Sequence, residues 1–184
     1  MWPKRNNFGS PRELNLMALH FSKQTMDADP QRFTEFHEPS EWLLGYAIPP
    51  FQRPVVWSEE RMVRFVESAI IGLNLGTWTY NSTMDLGGHG TDASGKEVWK
   101  CDLWLIDGQQ RLASLDRYWS DAFPVFGLYW SEVAEGRQRQ FLMSTHFPAF
   151  ETRIRDEAEI RDLYDRMNFG GIAHTEDQRA GPLP

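Results

Sequence analysis

Ile106-Asp107-Gly108-Gln109-Gln110-Arg111 sets a carboxylate, a glycine, two carboxamides and a guanidinium side by side between two apolar stretches. Val98 to Ile106 before it reads as a strand, and Leu112 to Trp119 after it as an amphipathic helix. A strand that ends in Asp-Gly and feeds a helix leaves the first helical N–H groups without partners, directed at whatever lies above the turn. Such a turn can hold an anion. Glycine permits close backbone approach, glutamines supply neutral donors and acceptors, and an arginine fork matches phosphate. With a triphosphate over the turn, the amides of Gly108 to Gln110 would hold one phosphate and Arg111 would neutralise charge. Asp107 would bind Mg²⁺ or orient water, which makes Asp107, Gln109 and Gln110 the candidate catalytic residues and Asp107 the candidate metal ligand. The plainer alternative is a tight turn whose Asp107 carboxylate caps its own backbone.

A second polar loop repeats the theme. Ile48-Pro49-Pro50-Phe51-Gln52-Arg53-Pro54-Val55-Val56-Trp57 carries three prolines, so it is neither a helix interior nor a central strand but a stiff connector. A stiff connector fixes Gln52 and Arg53 at low entropic cost, which helps if Arg53 meets a phosphate. A solvated arginine on a rigid loop is the alternative.

Pro-Pro-Phe-Gln-Arg-Pro-Val-Val-Trp, the helix Ser58 to Ile71 ending at Gly72, Ile-Asp-Gly-Gln-Gln-Arg-Leu, and Asn168-Phe169-Gly170-Gly171 resemble the N-terminal domain of GmrSD-type, modification-dependent restriction endonucleases. The resemblance spans about residues 41 to 180; Asp-Gly-Gln-Gln-Arg is its specific part. It implies a small α/β (α+β) fold of the ParB/sulfiredoxin-like superfamily, with a phosphate-handling loop at Asp107 to Arg111. It also implies binding and hydrolysis of a nucleoside triphosphate with Mg²⁺, coupled to sensing of modified DNA. The nucleotide-binding set expected on this basis is Gln52, Arg53, Gly108, Arg111, Asn168, Gly170 and Gly171.

A chain of 184 residues, 41% hydrophobic and 14% aromatic, can pack one core. Its 26 acidic against 19 basic residues give a net charge of −7, which excludes a protein that coats DNA non-specifically; any DNA contact is local or supplied by a partner. The single cysteine, Cys101, rules out an internal disulfide and a cysteine-rich zinc site. It falls in the expected central strand, where it reads as a small buried hydrophobe. Without a signal-peptide start or an 18-residue apolar run, the expectation is a cytoplasmic protein of a bacterial or phage-infected cell.

The elements that must position the two loops follow from pattern. Residues 1–40 read as an N-terminal arm, disordered to residue 9, with a short helix from Ser10-Pro11-Arg12-Glu13 to about His20 and a polar connector over 22–40. Residues 41–180 form the domain proper. Its expected strands are Trp42 to Ile48, Leu75 to Asn81, Val98 to Ile106 and Phe123 to Trp130. The expected helices are Ser58 to Ile71, Leu112 to Trp119, a segment from Ser131, and Asp156 to Asn168, with Phe147 to Ile154 ambiguous. Asp85 to Lys96 is a glycine-rich loop, either a surface hairpin or a lid, in which His89 has no partner at metal-ligand spacing. The expected architecture is a small mixed sheet flanked by helices.

No Gly-x-x-x-x-Gly-Lys-[Ser/Thr] is present, so P-loop chemistry is excluded. The histidines His20, His37, His89, His146 and His174 are too dispersed for a His-Asn-His nuclease site, so the chain itself is not expected to cut DNA. Three functions stay open: an NTP-binding and NTP-hydrolysing domain acting with modified DNA or a nuclease partner in restriction or phage counter-defence; a non-catalytic module binding DNA or protein; and a phosphotransferase acting on a small molecule or nucleotide.

Overall fold

The computed structural model describes residues 9–169, except 36, 38–39, 85–88 and 92–93. Its centre is a four-stranded mixed sheet in the order β1 (Gly9–Arg12), β8 (Ala149–Thr152), β4 (Trp78–Asn81), β7 (Leu105–Asp107). The β8–β4 pair is parallel and the outer two pairs are antiparallel. Two antiparallel ribbons complete the β-structure: β2 (Glu41–Leu43) with β3 (Tyr46–Ile48), and β5 (His89–Thr91) with β6 (Glu97–Trp99). Six α-helices lie among the described residues: α1 (Leu16–Ala28), α2 (Gln31–Thr34), α3 (Glu59–Ile70), α4 (Gln109–Trp119), α5 (Glu135–Ser144) and α6 (Glu157–Phe169). The small mixed sheet flanked by helices is thus present.

The N-terminal segment departs from expectation. Residues 9–12 pair as an edge strand, where the missing N–H of Pro11 is tolerated. The helix begins later, at Leu16, because Asn15 is its cap: the Asn15 side chain accepts from the Ala18 N–H at 3.3 Å. It runs on to Ala28 through part of the expected connector, since Leu16 and Leu19 are fully buried in the main core. Residues 9–28 therefore belong to the folded body.

Three expected strands are also redrawn by turns. Trp42 to Ile48 folds into the β2–β3 hairpin, its two turn residues Leu44 (φ 52°) and Gly45 (φ 84°) both left-handed. Val98 to Ile106 breaks into β6 and β7, separated by Cys101 and Leu103 at positive φ. The Asp102 carboxylate holds that break by accepting from the N–H groups of Thr83 and Met84 and from His37 Nε2 at 3.2 Å. Burial works against its charge, but those donors outweigh burial and leave Asp102 below the ordinary carboxylate range. Cys101 is buried, though in the turn and not in a strand. Phe123 to Trp130 is not a strand either: Phe126 and Gly127, both at positive φ, make a tight turn between Val125 and Leu128, and a 3-10 turn follows at Trp130–Glu132. The segment expected from Ser131 becomes helical only at Glu135, whereas Phe147 to Ile154 resolves as β8.

The core lies between the sheet and helices α1, α3 and α4, with Trp78, Leu112, Leu115, Tyr118 and Phe147 at its centre. A smaller cluster, Ile106, Trp104, Ile154, Ile160 and Tyr164, seats α6 against β7. Between them, the two clusters fix the end of β7 and the start of α4.

Candidate functional site

β7 ends at Asp107, and Gly108 turns the chain into α4 with φ +98°. Glycine is required there twice over, because a Cβ at this position would lie 2.5 Å from the Cβ of Trp78. Gly108 is the N-cap of α4 and lends no side chain to the helix start, so nothing on its own residue covers the first amides.

The four side chains around it do different things. The Arg111 guanidinium turns back beneath the turn: Nη1 donates to the Leu75 carbonyl at 3.0 Å, and Nη2 donates to the Thr77 carbonyl at 3.0 Å and to Asp107 Oδ2 at 2.7 Å. It is a tie between α4, β7 and the approach to β4. The Asp107 carboxylate is the other half of that pair and caps no backbone group among the described residues. Gln110 is buried and its amide is engaged at both ends: Oε1 accepts from the N–H groups of Val56 and Trp57 at 2.9 and 3.0 Å, and Nε2 donates to the Pro54 carbonyl at 3.2 Å. It splints the proline-rich connector to α4. Gln109, only 8% exposed, has no hydrogen-bond partner among the described residues and faces the cavities at the end of β7.

The connector brings its own residues to the same place. Gln52 Nε2 donates to the Leu105 carbonyl at 2.9 Å, which anchors the loop on β7 and leaves Gln52 Oε1 buried without a partner. Arg53 beside it is exposed. The outcome is a cleft of about 180 Å³ that contains Gln52, Arg53, Asp107, Gly108, Gln109, Gln110, Arg111 and Asn168 in its lining. Arg53 and Arg111 therefore lie on one cleft. Asn168, on the last turn of α6, donates to the Tyr164 carbonyl at 2.9 Å. Gly170, Gly171 and His174 fall outside the described residues.

Three lining residues escape the sequence reading: Trp57, Arg61 and Tyr164. The Arg61 guanidinium lies 4.4 Å from the centre of the Trp57 ring, a cation–π pair at the cleft's edge. The available signal was spacing, since Trp57 and Arg61, like Tyr164 and Asn168, are four residues apart at a helix start and on a helix. A second cavity, of about 360 Å³, adjoins the first; Gln52, Arg53 and Gln109 line both, and Pro49, Pro50, Pro54 and Glu41 line the second alone.

The charge of the smaller cleft opposes that of the chain. Three arginines, Arg53, Arg61 and Arg111, face one carboxylate, Asp107, in its described lining. An anion fits it and a bare cation does not. No group of three metal-ligating residues occurs among the described residues, and Asp107 is already paired with Arg111. The donor set does not build a protein-held divalent site. Nor does His89 contribute to one; its ring packs on Trp99 with centroids 3.7 Å apart, and Nδ1 is 3.7 Å from Glu97.

The cleft is a strand–turn–helix unit with three arginines in its lining, braced by a proline-rich Gln-Arg loop. The family model described as "GmrSD restriction endonuclease, N-terminal domain" matches residues 36–146, and the chain belongs to that family. Its function is accordingly related to restriction endonucleases. The match takes in both polar loops and stops before α6. No curated protein and no solved structure matches the chain. No helix among the described residues is long and apolar enough to cross a membrane.

Proposed function

We propose that the cleft at the end of β7 binds the phosphates of a nucleoside triphosphate and that the domain hydrolyses it in service of a restriction system that senses modified DNA, alone or through a nuclease partner. The observation that carries this reading is the start of α4, an eleven-residue helix with no side-chain cap, which opens on a cleft where three arginines face one carboxylate among the described residues and where the Gln109 side chain has no protein partner among them. An amide that no protein group engages is available to a ligand, both as donor and as acceptor. The amides at the start of α4 would take one phosphate, with Arg53 and Arg61 countering its charge. Gln109 would orient water for attack on the terminal phosphorus; the bond to the bridging oxygen then breaks, giving nucleoside diphosphate and phosphate. Mg²⁺ would enter with the triphosphate, Asp107 being the one carboxylate in the described lining of the cleft. The strand–turn–helix arrangement also favours the ParB/sulfiredoxin-like reading of the fold.

The test is calorimetric titration with Mg·NTP, alongside phosphate release measured with and without base-modified DNA. Binding is expected, and Arg53→Ala should weaken it about tenfold or more through loss of a charge-assisted contact. Failure of every nucleotide to bind would refute the proposal. Binding without turnover would leave the non-catalytic module, and a phosphorylated small molecule in place of free phosphate would leave the phosphotransferase.

A further inference from the structure

We propose that the second, larger cavity is the nucleoside subsite of the same ligand and that Glu41 biases it towards guanine; this rests on the phosphate reading of the neighbouring cleft. Arg53 and Gln109 line both cavities, so one molecule can place its phosphates on the α4 side and its uncharged portion on the other. The second cavity's volume of about 360 Å³ is within the range, roughly 300–1,000 Å³, of small-molecule clefts. Its walls suit a flat ring. Pro49, Pro50 and Pro54 contribute apolar faces whose backbone is fixed before the ligand arrives, so little ordering is needed on binding. Apart from Arg53 at the junction, no cation lines it among the described residues, which makes it a poor second phosphate site.

The polar end of the cavity selects the base. The Ser40 hydroxyl already donates to the Ile48 carbonyl, whereas the exposed Glu41 carboxylate has no partner among the described residues. An ionised carboxylate only accepts hydrogen bonds, and its two oxygens match two donors side by side. Guanine alone of the common bases offers that edge, with its ring N–H next to its amino group. Uracil offers one N–H flanked by two carbonyls, which a carboxylate repels.

The experiment titrates the whole chain with Mg·GTP, Mg·UTP and Mg·tripolyphosphate. Wild type should bind GTP about tenfold more tightly than UTP, as expected for one charge-assisted contact. Glu41→Gln should remove that preference without changing tripolyphosphate affinity. Pro50→Trp, which fills the cavity, should weaken both nucleotides about tenfold and spare tripolyphosphate. Both positions are exposed, and thermal melting reports whether each variant folds. Equal binding of GTP and UTP by wild type, or a preference that survives Glu41→Gln, overturns the guanine assignment. An equal effect of Pro50→Trp on nucleotides and tripolyphosphate, or no effect on either, overturns the nucleoside subsite while leaving the phosphate cleft standing. Absence of binding by all three ligands overturns both readings together.

Discussion

The Arg111 guanidinium reaches back to two carbonyls and a carboxylate, which makes it a cross-link before it is anything else. Its spacing of four from Asp107 is visible in the sequence as a helical pair, but the carbonyls of Leu75 and Thr77 are more than thirty residues away, and no local pattern announces them. An arginine whose motif reads as a phosphate fork thus spends three of its five donors on the fold itself. Arg111→Ala should lower stability by about 2–3 kcal/mol in urea denaturation, because it strips partners from a half-buried carboxylate and two carbonyls. Arg111→Lys should recover only part of this, having lost the planar fork. Arg53→Ala, at an exposed position, should leave the urea midpoint nearly unchanged while it weakens nucleotide binding. Reversal of that division, with Arg111→Ala stable and Arg53→Ala unfolded, would exchange the roles given to the two residues.

At the scale of elements, the segments with a strong local code were legible. α3 has a serine cap, two acidic residues in its first turn and one apolar face, and it forms where its sequence says it should. The β7–Gly108–α4 unit was legible for the same reason. Elements that depend on distant partners were not: β1 becomes a strand because β8 offers it an edge, and Asp102 breaks an apolar run because Thr83, Met84 and His37 surround its carboxylate. Left-handed turns at Leu44, Cys101, Leu103 and Phe126 carry little sequence signal, since none of these residues favours that conformation. Within the candidate site, the residue types were legible but their division of labour was not; Gln109 and Gln110 are adjacent and alike, yet one faces the cleft and the other splints a loop. Gly108 provides the sharpest test at this scale. Gly108→Ala meets both a left-handed φ and the Trp78 side chain, and should cost at least about 2 kcal/mol, read as a lowered melting temperature. A variant that melts with wild type would mean that the turn relaxes freely and that glycine serves only the ligand.

For the molecule as a whole, the sheet is locked across three adjacent strands by one carboxylate. Glu151 on β8 accepts from Arg12 on β1 at 2.8 and 2.9 Å and from the Tyr80 hydroxyl on β4 at 2.8 Å, with Arg153 at 3.0 Å completing the set. This link makes the N-terminal strand part of the body that carries the cleft, since β4 also pairs with β7. Arg12 is the main cause that holds Glu151 below the ordinary glutamate range; burial opposes it, and Tyr80 and Arg153 reinforce it. A carboxyl depressed in the folded state stabilises it fully above the unfolded pKa, and that contribution fades as pH falls through the folded value. Wild type should accordingly lose stability as pH drops below about 4.5, the ordinary value for the group. Glu151→Gln should be less stable by about 1–3 kcal/mol at pH 7, since a neutral amide meets Arg12 poorly, and its stability should fall less steeply on acidification. Other depressed carboxylates, Asp102 and Asp121, titrate alike in both proteins, so the difference between the two curves isolates Glu151. Urea denaturation from pH 7 to pH 3 measures it, and parallel curves would show that the Arg12–Glu151 link adds nothing to the fold.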